Sequence, residues 1–238
     1  MSESSMRIDK FLANANVGSR SDVKKLIKKK LVLVNELVVS DASFKVDALT
    51  DEIQVNGKSI TLRTSPSYYV MNKRSGVVTA TKDRLHKTVM DDLHVDLREQ
   101  LFPVGRLDKD TEGLLLLTSD GDFAHRLTSP KHDVEKEYAV GLDALPIKED
   151  LLRIEDGLKL KDGSHTKPAK ITTSNHPDYT LHITITEGKY HQVKRMFGAI
   201  GHKVERLKRV RIGSLSLDDH LAAGEYRELT TEEIDQLK

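Results

Sequence analysis

The stretch Gly105-Arg106-Leu107-Asp108-Lys109-Asp110-Thr111-Glu112-Gly113-Leu114-Leu115-Leu116-Leu117 joins a polar loop to an unbroken apolar run. Four leucines between Gly113 and the turn signal Ser119-Asp120-Gly121 are too few for a helix. They predict a strand buried on both faces. The acids and glycines before them are the composition of a polar hairpin loop. A loop anchored to a rigid strand is also where reactive groups tend to sit, and composition alone does not choose between these meanings. The acids imitate the first half of an EF-hand calcium loop. The twelfth position, which needs a bidentate Glu, is Ser119, so calcium is not expected.

The neighbouring segments give the fold class. Tyr69 to Met71 begins a strand, and Leu181, Ile183 and Ile185 alternate with His182, Thr184 and Thr186. Val193, Met196, Phe197 and Ile200 form one helical stripe, with Gly201 placed to cap it. Val210/Ile212 and Leu215/Leu217 alternate around Gly213, and residues 83–97 read as loop with a short helix. Strands dominate without a βαβ rhythm, which predicts an α+β fold whose sheet is mixed, mostly antiparallel and flanked by helices. Upstream, Ile8, Phe11 and Leu12, then Val23, Leu26 and Ile27, mark two short helices, the second capped by Ser19 or Ser21. Strand-like pieces follow at 31–34, 37–39 and 53–55. Two domains are therefore expected: residues 1–63, a linker at 64–67 (Thr64-Ser65-Pro66-Ser67), and residues 68–238.

The chain has 238 residues, 32% charged and 37% hydrophobic, enough for one or two domains with buried cores. No apolar run exceeds four residues, whereas a membrane span needs roughly 20. The N-terminus lacks the apolar core of a signal peptide, so a cytoplasmic protein is expected. The absence of cysteine excludes disulfides, thiolate metal sites and cysteine nucleophiles. The net charge is +1, but it is unevenly spread. Between Arg7 and Asn35, Arg7, Lys10, Arg20, Lys24, Lys25, Lys28, Lys29 and Lys30 face only Asp9 and Asp22, a net +6. Between Lys189 and Arg211 the net is +7, so the rest of the chain carries −12. Two basic stretches on an acidic chain suggest a polyanion gripped locally, although solvated helix faces account for them equally well.

The ten histidines show no zinc-binding spacing and read as surface groups. No Walker loop, GxGxxG or GxSxG is present, which removes the usual nucleotide-binding and serine-hydrolase readings. Glu187-Gly188-Lys189-Tyr190-His191-Gln192-Val193-Lys194-Arg195-Met196-Phe197 is a turn entering an amphipathic helix. Its stripe leaves Lys194 on one flank and Arg195 on the far face, so one cation can meet a buried acid while the other meets solvent or phosphate.

GRLDKDTEGLLLLTSDG at 105–121, EKEYAV at 135–140 and EGKYHQVKRMF at 187–197 together resemble the RsuA group of pseudouridine synthases. RIDKFLANANVGSRSDVKKLI at 7–27 resembles the small RNA-binding (αL) domain named after ribosomal protein S4. That domain usually has Gly where Lys30 stands, and often Asn-Gly where this chain has Asn35-Glu36. HRLTSPKH at 125–132 and TKPA at 166–169 look closest to the member of the group that acts on uridine 516 of 16S rRNA.

The resemblance implies uridine isomerisation in ribosomal RNA, or in a small-subunit assembly intermediate, by a monomer without cofactor or metal. It leaves two alternatives: a 23S rRNA enzyme of the same group, and a non-catalytic assembly factor that would lack the acid or its partners. It implies that Asp108 acts at the sugar, with Lys194 as its cation and Arg195 the second choice. Such a pair at about 4 Å is worth roughly 4 kcal/mol before desolvation at an effective dielectric near 20. Tyr138 would stack on the uracil, against the plainer reading of a tyrosine in a strand core. Arg106 would fill the gap left by the flipped base, and Gln192 would contact substrate. Arg7, Lys10, Arg20, Lys24, Lys25 and Lys28 would hold RNA.

Overall fold

The computed structural model describes residues 5–15, 17–61 and 66–238. The expected domain end at 63 and the linker residues Thr64 and Ser65 lie outside the described residues. The chain divides into two compact units, Met1–Ser67 with Ser119–Gly121, and Tyr68–Thr118 with Asp122–Lys238.

The first unit starts with β1 (Ser5–Arg7), α1 (Ile8–Asn14) and α2 (Arg20–Lys28). Ser19 caps α2, its side chain accepting from the Asp22 amide. Next come β2 (Val32–Val34), β3 (Leu37–Val38), β4 (Lys45–Asp47), β5 (Ile53–Val55) and β6 (Lys58–Ile60). β1 pairs with β4, and the others form an antiparallel sheet in the order β3-β2-β5-β6. Ile8, Phe11 and Leu12 meet Val23 and Ile27 over Val32, Val34, Ile53 and Val55, so the apolar stripes of both helices close one core.

Two departures from the family's usual glycines are held in left-handed backbone. α2 ends in a Schellman motif, with the Lys30 amide donating to Ile27 O (2.9 Å) and the Leu31 amide to Leu26 O (3.2 Å). Lys30 occupies the left-handed position of that motif at φ 58°. Asn35 and Glu36 (φ 49° and 65°) make the two-residue turn between β2 and β3, the geometry that Asn-Gly serves without strain.

The second unit contains β7 (Tyr68–Lys73), a 3-10 turn at Val89–Asp92, α3 (Val95–Arg98), β8 (Phe102–Val104) and β9 (Glu112–Thr118). α4 (Gly121–Thr128), β10 (Lys136–Leu142), α5 (Lys148–Asp156), β11 (Lys170–Thr173) and β12 (Leu181–Ile185) follow. α6 (Gln192–Ala199), β13 (Val204–Ile212), β14 (Leu215–Ser216), β15 (Tyr226–Glu228) and α7 (Thr231–Leu237) complete it. The strand order is β11-β12-β10-β13-β9-β7-β15, with β14 on β13 and β8 on β9. Among the described residues every pairing in this sheet is antiparallel except β13 with β9.

The leucine run is continuous because β9 is covered on both faces. Leu114 and Leu116 pack with Val70, Phe123 and Leu127, while Leu115 and Leu117 belong to the cluster of Met71, Val140 and Phe197. Each leucine is at most 1% exposed, and full burial of one stabilises by about 1.5–3 kcal/mol. Gly113 sits where the loop enters the parallel pairing. It has φ +99°, and a Cβ there would stand 2.2 Å from the Arg209 carbonyl. Gly201 takes the left-handed place after α6, where the His202 amide donates to Phe197 O at 3.0 Å.

Three helices are not anticipated by the sequence pattern. The Ser119-Asp120-Gly121 turn opens directly into α4, whose inward face is only Phe123 and Leu127. α5 buries Ile154 alone, and α7 is set by a Thr230–Glu233 capping box rather than by a broad apolar stripe. Among the described residues no helix is long and apolar enough to cross a membrane.

Candidate active site

The polar loop between β8 and β9 is fixed from beneath by a lysine. Lys73, at the end of β7, is 0% exposed. Its ammonium donates to Thr111 O (2.7 Å), Asp108 O (3.0 Å), Lys109 O (3.2 Å) and Arg74 O (3.2 Å). Burial pulls its pKa down to about 8, against the opposing charges of Asp110, Glu112 and Asp108. The Thr79 hydroxyl donates to Leu107 O (2.8 Å) and accepts from the Leu107 amide (3.1 Å). The loop backbone is thereby held at Leu107, Asp108, Lys109 and Thr111.

Asp108 lines a cavity of about 70 Å³ together with Arg106, Tyr138, His191 and Gln192. Lys194 Nζ stands 3.4 Å from Asp108 Oδ2 and 2.5 Å from Asp110 Oδ1, so one cation serves two acids. Burial pushes the Asp110 carboxyl up, but Lys194 outweighs it and holds Asp110 below the usual carboxylate range. Tyr138, 8% exposed on β10, is both a core residue and part of the cavity wall. Arg106 is exposed at the cavity edge.

Other expected residues are engaged elsewhere. Arg195 bonds Asp162 (2.6 Å) and Tyr190 O (3.2 Å), whereas the lysine within ion-pair distance of Asp108 is Lys194. The far face of α6 carries it away from the loop. Gln192 is 4% exposed, and its amide is committed to the turn before α6. It donates to Glu187 Oε1 (2.7 Å) and accepts from the Lys189 amide (2.9 Å). Gln192 thus lines the cavity with its amide bonded within that turn. On the first unit, Arg20, Lys24, Lys25 and Lys28 are exposed, while Lys10 is half-buried on α1. The Arg7 fork is closed on Asp9 at 3.0 and 2.9 Å.

His191 is a correction to the surface reading of the histidines. Its Nε2 lies 3.5 Å from Asp108 Oδ1, its ring stacks on Tyr190 at 3.8 Å, and its backbone is left-handed at φ +48°. Among the described residues no three His, Asp or Glu side chains converge as a metal site.

Residues 67–199 match the family model for RNA pseudouridylate synthase. The chain belongs to that family. Residues 6–53 of this RNA pseudouridylate synthase match the S4 domain. The synthase is 47% identical to the uncharacterized RNA pseudouridine synthase YtzG of Bacillus subtilis, over 96% of this chain and 97% of that one. It is 42% identical to ribosomal small subunit pseudouridine synthase A of Yersinia pestis, covering 96% and 97% respectively. It is 40% identical to ribosomal large subunit pseudouridine synthase B of Bacillus subtilis, covering 98% and 95%. A crystal structure of a pseudouridylate synthase matches with a TM-score of 0.72 at 39% identity, over 98% of this chain and all of that one.

Proposed function

We propose that this synthase isomerises one uridine of ribosomal RNA, uridine 516 of 16S rRNA, acting as a cytoplasmic monomer. The observation that carries the reading is that Asp108, on a loop, and Tyr138, on a strand, line one cavity while Lys194, on a helix, stands 3.4 Å from the Asp108 carboxylate, all within a single unit. The small-subunit relative at 42% identity supports the 16S assignment; the large-subunit relative at 40% keeps 23S rRNA as the second reading.

The reaction breaks the N1–C1′ bond of uridine, turns the uracil, and joins C5 to C1′. Nothing is oxidised or added. In this reading the Asp108 carboxylate acts at the sugar, and Lys194 keeps negative charge favourable there. Tyr138 supports the freed uracil and serves as the route for the C5 proton. The target must leave its stack at a cost of about a few kcal/mol. Stacking on an aromatic ring returns about 1–3 kcal/mol, with Arg106 entering the vacated space. The S4 domain grips the RNA through Lys24, Lys25 and Lys28, and the larger unit (68–238) reacts.

Asp108→Asn tests the chemistry. It is expected to leave folding and RNA affinity nearly unchanged while abolishing product, scored by carbodiimide-stop primer extension on rRNA. Pseudouridine formation near the wild-type rate would refute the role of Asp108. Mapping pseudouridines in rRNA from a deletion strain tests the target. Loss at 516 supports the 16S reading, and loss only in 23S rRNA replaces it.

A further inference from the structure

A second and larger cavity, about 270 Å³, is lined by Arg106, Lys136, Tyr138, Glu187 and Arg209 among others. Arg106, Tyr138 and Gly188 line this cavity and the one at Asp108 alike. The reading above uses neither Lys136 nor Arg209. Lys136 Nζ donates to Val134 O at 2.7 Å. Burial, with the neighbouring Arg209 charge, brings its pKa down to about 8, against the pull of Asp133. Arg209 is 3% exposed; its Nε donates to Leu114 O at 2.8 Å, but its buried Nη2 has no hydrogen-bond partner.

Glu187, the acid on this wall, does not answer them. Its Oε1 accepts from the Lys167 amide and Gln192, and its Oε2 pairs with Lys189 at 3.0 Å. Asp133 bonds Lys167. Two cations, one of them with an unmet guanidinium N–H, therefore line a cavity whose one carboxylate is already committed, and a buried donor left unmet is costly. The complementary group is an anion with several oxygens.

We propose that this cavity is a phosphodiester subsite, taking a backbone phosphate that adjoins the target uridine onto Lys136 and Arg209. The proposal rests on the RNA-isomerase reading, because the shared Tyr138 wall makes the occupant continuous with the nucleotide at Asp108.

The test uses RNA substrates in which one linkage at a time around the target is a neutral methylphosphonate, with the full-length wild type, Lys136→Met and Lys136→Arg. One linkage is expected to lower wild-type kcat/KM by about tenfold or more when neutralised, the range of a charged hydrogen bond. Lys136→Met should show a similar loss on all-phosphate RNA and no further loss at that linkage, the signature of a shared interaction. Lys136→Arg should recover most of the rate.

Independent losses at every linkage, or an unchanged Lys136→Met, would overturn the subsite. A measurement on the wild type alone guards against misfolding. Reductive methylation of Lys136, followed by mass spectrometry, should be slowed by all-phosphate RNA but not by RNA neutral at the critical linkage. Equal protection by both RNAs, or protection by inorganic phosphate alone, overturns the assignment to RNA. No turnover of unmodified RNA by wild type would overturn the isomerase reading and the subsite together, so the two failures are distinguishable.

Discussion

The two basic stretches look alike in sequence, +6 and +7, but the fold pairs their cations to different extents: in the first, Arg7 meets Asp9 and Lys25 meets Asp22. On α2 and its cap, Lys24, Lys28, Lys29 and Lys30 are exposed, and none of them is in an ion pair among the described residues. In the second stretch six of eight cations stand within ion-pair distance of a carboxylate: Lys189, Lys194, Arg195, Lys203, Arg206 and Arg211. The acids Asp108, Asp162, Asp178 and Glu135 come from far away in the chain, out of the region that carries −12. A run of like charge marks a polyanion surface only where folding does not bring its counter-ions to it. The first stretch fits that surface; the second is largely paired with the protein's own acids, and Lys194 among them stands beside Asp108.

The sharpest way to break the contrast is Lys194→Met. If the second stretch works in the chemistry, kcat should fall by about 10²–10³, the usual loss for one charge-stabilising group. The salt dependence of RNA binding should stay within one unit of wild type. A single-turnover assay with filter binding across a salt series reads both quantities. A large drop in salt slope with little change in rate would instead make Lys194 an RNA contact.

Lys73 extends the contrast to a cation outside both stretches that is shut off from solvent. Lys73→Met would leave three loop carbonyls and that of Arg74 without this donor, a loss of about 3 kcal/mol by analogy with other buried charged groups. The difference should depend on pH. With a pKa of about 8 when folded and near 10.5 when unfolded, the wild type binds fewer protons folded than unfolded between those values. Its stability should therefore rise with pH over that window, relative to Lys73→Met, by at most about 1.4 kcal/mol per pH unit. Urea unfolding of both proteins at pH 8 and 9.5 measures this. An equal response of both proteins to pH would show that Lys73 does not titrate there.

How much of this was legible in the sequence depends on the distance over which each interaction acts. The β9 strand, the α6 stripe and the paired N-terminal helices follow from local periodicity, and three separated motifs pointed to Asp108, Tyr138 and Lys194, of which the first two line one cavity and the third stands 3.4 Å from Asp108. Lys73 carried no local signal. It ends a strand like any lysine, and its nearest loop partners are 35 to 38 residues on. His191 was hidden among ten ordinary histidines, although it lies inside a quoted motif and has a left-handed backbone that only coordinates reveal. The neutralisation of the second stretch was largely invisible for the same reason: apart from Glu187 and Glu205, its acids lie far from its cations in sequence.

Reversing the three lysines of α2 (Lys24→Glu, Lys25→Glu and Lys28→Glu together) tests the exposed half of the comparison. If all three meet phosphates, the slope of log K against log salt should flatten by about 2–3 units. The stability of the fold should change little, because Val23 and Ile27 face the core and these lysines do not. An unchanged slope would refute α2 as the RNA surface.

The smallest effect comes from a motif that both units share. α2 and α6 end in the same left-handed turn, but Gly201 occupies it in the second unit and Lys30, at φ 58°, in the first. A left-handed non-glycine residue costs about 1–2 kcal/mol, part of which glycine returns as extra freedom in the unfolded chain. Lys30→Gly should therefore raise stability by about 0.5–1 kcal/mol. If Lys30 is there for its charge, the same change should lower the RNA salt slope by a little under one unit, the share of a single phosphate contact. Denaturant unfolding and the salt series, run on one protein preparation, show whether the first unit gives up stability to place a cation. A gain in stability with no change in slope would mean that Lys30 carries strain without contacting RNA, and would confine the binding surface to α2 itself.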